Sequence, residues 1–99
     1  MIQVSGNRIQ VSGAMNMAGA TAMLAEGEAA LIGLSLNSTS SVEFELGAVT
    51  EMDSSCLAVI FGWMRKAQSA GAKVKLLNTP ANLLSLAAVY DVVELLPTE

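Results

Sequence analysis

The sequence predicts an α/β domain, a mixed and mainly parallel β-sheet opened by an N-terminal hairpin, with helices packed on one face and the other face polar. Three observations predict it. Alternating strands and apolar-striped helices follow one another along most of the chain, an order that implies parallel pairing through right-handed crossovers. The first thirteen residues instead hold two short alternating segments separated by a turn, the pattern of a hairpin. The strands also alternate, where a parallel sheet covered on both sides would be continuously apolar. Gln3, Arg8, Gln10, Ser12, Glu43, Glu45, Lys73 and Lys75 then share one polar face.

The hairpin comes from a duplication. Ile2-Gln3-Val4-Ser5-Gly6 recurs as Ile9-Gln10-Val11-Ser12-Gly13, with Asn7 and Arg8 between the copies. Gly6-Asn7 suits a tight turn. The repeat is too short to be architectural and reads as two strands of like sequence. Asn16 can cap a helix running to about Ile32, in which Ala20, Met23, Leu24, Gly27 and Leu31 fall on one face at a 3.6-residue period. Met15, Met17 and Met23 lie in or just before it and read as adaptable packing. Leu34 to Ser41 is a polar loop.

A strand over Val42–Leu46 points Val42, Phe44 and Leu46 one way and Glu43 and Glu45 the other. After a small turn, Asp53 caps a helix from Ser54 to near Ala70, with Gly71 at its C′ position. Lys73–Leu77 is another alternating strand. Its lysines, facing Glu43 and Glu45, make the two strands neighbours. Pro80 fits the first turn of a helix to Val89 with the stripe Leu83, Leu84, Ala87 and Ala88. Tyr90 and Asp91 break the pattern, and Val92–Leu96 is a short strand or helical turn ended by Pro97.

Ninety-nine residues make one domain, covering 1–99. Apolar residues are 53% and charged residues 14% of the chain, with a mean hydropathy of +0.52, so a core is easily built. No apolar run approaches the roughly 20 residues that span a bilayer. No basic segment precedes an apolar one at the N-terminus, so no signal peptide is read and a cytoplasmic location is the default. With a net charge of −4 and no basic patch carrying aromatics, nucleic-acid binding is not expected. One cysteine, Cys56, and no histidine exclude an internal disulfide, zinc sites and His-based triads. The carboxylates form no convincing acid–base pair. Neither a metal nor a cofactor is implied. The apolar excess suggests a surface covered by another protein.

Asp53-Ser54-Ser55 is the candidate functional stretch. It places side-chain oxygens at a helix N-terminus, where N–H groups are unpaired and a phosphate would be stabilised. On a wheel of the helix that follows, Leu57, Ile60, Phe61 and Met64 lie within about 100° and face the sheet, while Cys56, Val59 and Trp63 form a second apolar stripe roughly 120° away, bordered by Ser55 and Lys66. Two readings fit the second stripe. Val59 and Trp63 either pack under a neighbouring helix or give a partner an aromatic anchor. Cys56 stands near a helix start, which can lower a thiol pKa, but without a histidine base it reads as packing or interface.

Met52-Asp53-Ser54-Ser55-Cys56-Leu57-Ala58-Val59-Ile60 after Val42-Glu43-Phe44-Glu45-Leu46 resembles the STAS domain family, which includes bacterial anti-sigma-factor antagonists and small subunits of lipid transporters. Asn78-Thr79-Pro80-Ala81-Asn82-Leu83-Leu84-Ser85-Leu86-Ala87-Ala88-Val89-Tyr90 is most similar to the MlaB-type branch of that family, the STAS subunits of Mla phospholipid ABC transporters. The resemblance implies a STAS fold. It also implies no catalytic activity and a cytoplasmic subunit peripheral to the inner membrane that binds and supports an MlaF-like ABC ATPase subunit. Asp53 would cap, Ser54 and Ser55 would contact the ATPase, and Val59, Trp63 and Lys66 would extend the contact. The alternative it implies is an anti-sigma-factor antagonist that answers to an anti-sigma factor or serine kinase and is phosphorylated at Ser55. In that group a Gly usually follows the two serines, where this chain has Cys56. A third class, a nucleotide-binding STAS module, finds no Gly-rich phosphate loop here.

Overall fold

In a computed structural model describing residues 1–98, the chain forms β1 (Ile2–Ser5), β2 (Arg8–Met15), α1 (Ala20–Gly33), β3 (Ser41–Met52), α2 (Ser55–Ser69), β4 (Lys73–Leu77), α3 (Ala81–Val89) and a 3₁₀ turn at Val93–Leu95. The four strands stand in the order β1-β2-β3-β4. β1 and β2 are antiparallel, joined by a turn in which Gly6 has φ of +60°. β2, β3 and β4 are parallel, as the strand–helix alternation requires.

Alternation sorts the strand side chains. Ile9, Val11, Val42, Phe44, Leu46, Val74 and Leu76 are buried beneath the helices, while Gln10, Lys73 and Lys75 are exposed. β3 and β4 are neighbours, with Glu43 beside Lys75 in register. Glu43 also accepts an ion pair from Arg8 of β2 at 3.3 Å, a half-exposed contact worth about 0–1 kcal/mol.

The elements depart from the sequence reading in three places. The first helix begins at Ala20, not just after Asn16. Asn16 Oδ1 instead accepts from Gly19 N at 3.1 Å, so residues 16–19 form a turn that precedes the helix. The strand expected to stop at Leu46 continues to Met52. It stays paired with β2 through two register shifts, between Gln10 and Ser12 and between Gly13 and Ala14, which absorb extra residues of β3 and erase its alternation. On α3, Leu83 and Ala87 are buried as expected, but Leu84 and Ala88 are exposed. Val92–Leu96, open between a short strand and a helical turn, holds the 3₁₀ turn, after which Thr98 makes a single parallel bridge to Leu76 at the outer edge of β4.

The core is centred on α2. Trp63 is 1% exposed and stacks on Phe44 of β3, with ring centroids 5.0 Å apart and planes 4° from parallel. Its indole Nε1 donates to the Leu24 carbonyl of α1 at 3.1 Å. α1 comes this close because residue 27 has no side chain. A Cβ on Gly27 would stand 2.0 Å from Nε1 of Trp63.

Candidate functional site

The carboxyl ends of the three parallel strands gather at one end of the sheet, and the connections leaving them carry the candidate residues. β2 leads into residues 16–19, β3 into Asp53-Ser54-Ser55, and β4 into Asn78-Thr79-Pro80. In open α/β sheets this end is where sites are built.

Asp53 ties two of these connections together. Its Oδ1 accepts from the backbone N of Ser55 at 2.9 Å and from the Ser55 hydroxyl, and its Oδ2 accepts from the backbone N of Met17 at 2.9 Å. Asp53 thus supplies the capping carboxylate from one residue before Ser54, the residue that precedes the first helical turn. The Ser55 hydroxyl, followed by the Met17 and Ser55 N–H groups, holds the Asp53 carboxyl below the ordinary carboxylate value, against a weak opposing effect of burial.

The two serines are presented differently. Ser55 is half-buried and its proton is committed to Asp53. Ser54 is exposed, and among the described residues its hydroxyl has no protein partner. Below Ser54 the uncovered side of α2 continues through Ala58, Phe61 and Arg65, at i+4, i+7 and i+11. Ala58 and Arg65 are exposed and Phe61 is half-buried; Phe61 and Arg65 line a shallow groove with Leu95, which is 60% exposed. Met17, held at its backbone by Asp53, is 76% exposed.

Val59 and Trp63 are not on this surface. Each is 1% exposed. The second apolar stripe of the helix is the contact with α1 rather than an anchor for another protein, because Gly27 opens α1 to the indole. Lys66 is exposed but stands apart. It is 12 residues from Ser54, roughly 18 Å along a helix axis, and lines a groove with Ile32 and Leu36 at the far end of α1. The structure therefore joins Asp53, Ser54 and Ser55 and separates Val59, Trp63 and Lys66 from them.

The sequence reading gave no role to Ala58 and Arg65, turned Phe61 toward the sheet, where it is half-buried against the core, and took Met17 as packing, whereas it is 76% exposed. The signal for Ala58 and Arg65 was the remaining arc of the helical wheel, visible once the stripe holding Trp63 is assigned to α1. Cys56 is fully buried, and burial followed by the Asp53 charge pushes its thiol up to about 11, so it is a packing residue without thiolate character.

Comparisons with known proteins fit this geometry. Residues 2–97 match the family described as Mlab, STAS domain. No curated protein matches the chain in sequence. Among solved structures, the phosphorylated form of the Bacillus cell fate determinant SpoIIAA is similar, with a TM-score of 0.66, 15% identity, and cover of 100% of this chain and 89% of that one. The unphosphorylated form of the anti-sigma factor antagonist SpoIIAA gives a TM-score of 0.62 and 18% identity over 87% of this chain and 78% of that one. A Thermotoga maritima protein described as an anti-sigma factor antagonist gives 0.69 and 14% identity over 99% and 83%. At these identities the likeness to the solved structures is one of fold.

Proposed function

The chain belongs to the STAS domain family described as Mlab, and from that premise we propose that it is a non-enzymatic protein-binding subunit of a phospholipid ABC transporter, docking on the transporter's cytoplasmic ATPase subunit. The observation that carries the proposal is the free side of α2. Ser54 heads a stripe in which Ala58 and Arg65 are exposed and Phe61, half-buried against the core, is only partly covered. A half-exposed aromatic beside an arginine is the composition of an interface centre. Asp53 makes that surface rigid, since one carboxylate fixes both the start of α2 and the loop carrying Met17. Docking would hold the protein at the inner membrane through the transporter, and none of its described helices is long and apolar enough to cross a bilayer.

The test is co-purification of the chain with the ABC ATPase of the same organism's phospholipid transporter, together with the ATPase rate. A stable complex with raised ATPase activity is expected. No complex at micromolar concentrations would overturn the proposal.

A second reading has its own observation. Ser55 stands at the N-terminus of α2 with its hydroxyl on Asp53, and SpoIIAA, similar in fold, has been solved in a phosphorylated form. In this reading the chain is an anti-sigma-factor antagonist. A phosphoryl group on Ser55 would remove the proton that Asp53 accepts and set about −1.5 to −2 charge against its carboxylate. The bridge to Met17 would loosen and the docking surface would change shape. A phosphate mass on Ser55 in protein from cells, with no ATPase binding, would favour this reading over the first.

A further inference from the structure

We propose that two copies of this chain pair through the free edge of β1, forming a closed dimer with one continuous eight-stranded sheet. The proposal starts from the duplicated Ile-Gln-Val. Within one chain, Ile2, Gln3 and Val4 of β1 already lie antiparallel against Val11, Gln10 and Ile9 of β2, which is the same tripeptide reversed and centred on Gln3 opposite Gln10. The segment is thus a partner for its own sequence. A second copy's β1, set against the outer edge with Gln3 opposite Gln3, would repeat the Ile–Val, Gln–Gln and Val–Ile pairings of the hairpin.

The hydrogen bonds have the right phase. Met1 and Ser12 exchange both backbone bonds, at 2.7 and 2.9 Å. Bonded pairs alternate along an antiparallel ladder, so Gln3 is bonded to β2, while Ile2 and Val4 turn their N–H and C=O groups outward. With a two-fold axis at Gln3, Ile2 meets Val4 of the other copy and Val4 meets Ile2, giving four backbone bonds from groups that have no strand beside them in the monomer.

The two edges of the sheet differ as this requires. β4 carries Lys73 and Lys75, and its edge is occupied by Pro97 and Thr98 through Leu76. β1 ends the strand order with no charged side chain, no proline and no covering segment among the described residues. Natural edge strands are normally protected by such features. Val4, on the core side of the sheet opposite buried Ile9, is left 49% exposed, and the second copy would cover it. Because only one edge is free, pairing closes at two copies and does not continue into a fibre. It leaves the Ser54 side of α2 open on both, so it neither needs nor blocks the proposed docking.

Sedimentation velocity across a concentration series tests it, with Gln3→Lys and Gln3→Glu as probes. Gln3 is exposed on the polar face, and either change leaves the hairpin's backbone bonds in place. Wild type is expected to pass from monomer to dimer. Each variant alone should dimerise at least tenfold more weakly, because like charges would meet on the two-fold axis. An equimolar mixture of the two should recover the wild-type dimer. Val4→Pro, which removes an outward N–H, should remain folded by circular dichroism and be monomeric. A wild type that stays monomeric to about 1 mM, or a dimer indifferent to charge at residue 3, would overturn the proposal.

Discussion

The two sides of α2 each carry an aromatic residue and do opposite things. One side carries Cys56, Val59 and Trp63, each at most 1% exposed, with the indole stacked on Phe44 of β3, bonded to Leu24 of α1 and approached by Gly27, which has no side chain. The other carries Ser54, Ala58, Phe61 and Arg65 and is left open. A tryptophan on a helix is thus not evidence of an interface by itself. The neighbouring helix decides, and here a glycine on that helix decides for burial.

The largest effect expected from breaking this contrast is on the closed side. Trp63→Ala removes the stack on Phe44 and the bond to Leu24, and should cost about 3–5 kcal/mol in chemical denaturation. A loss below about 1 kcal/mol would mean that the stripe is not core. Gly27→Ala drives a methyl into the indole from the opposite helix and should cost about 1–3 kcal/mol in the same assay, as overpacking does. Neither substitution touches the open side. Any residual folded protein should therefore bind the partner normally.

Asp53 stands where the two sides meet, and its effect is smaller and depends on pH. Its folded pKa is lowered from the ordinary 3.8, so the folded state binds its proton less readily than the unfolded state. The stabilisation is fully present above that ordinary value and is lost as pH falls through the lower folded one. Asp53→Asn should accordingly be less stable than wild type near pH 7, and the two melting curves should converge in acid. Parallel curves down to pH 2 would show that the carboxylate's bonds to Ser55 and Met17 do not contribute.

The same contrast explains what could be read from the sequence. The hairpin, the parallel order and the one-sided sheet were legible because Ile9/Val11, Val42/Phe44/Leu46 and Val74/Leu76 alternate cleanly with polar residues. The run from Gly47 to Met52 was not legible as strand, because two register shifts against β2 remove the period that marks one. The start of α1 was misplaced because Asn16 caps a turn, and the N–H of Met17 goes to a carboxylate 36 residues away. Asp53-Ser54-Ser55 was found from local chemistry alone. Of the two readings open for the stripe of Val59 and Trp63, the structure shows packing under a neighbouring helix, a choice that a wheel alone does not make. Gly27, lying in the apolar stripe of α1, was the available clue to a large side chain opposite.

Ser54→Arg changes stability least and tests the central claim most directly. The side chain is exposed, so the expected change on folding is within about 0.5 kcal/mol. Calorimetric titration of the ABC ATPase subunit with wild type, Ser54→Arg and Lys66→Ala separates the two ends of the helix. The account predicts binding by wild type and Lys66→Ala alike, and at least tenfold weaker binding by Ser54→Arg, about 1.4 kcal/mol. Binding by Ser54→Arg equal to wild type would contradict it.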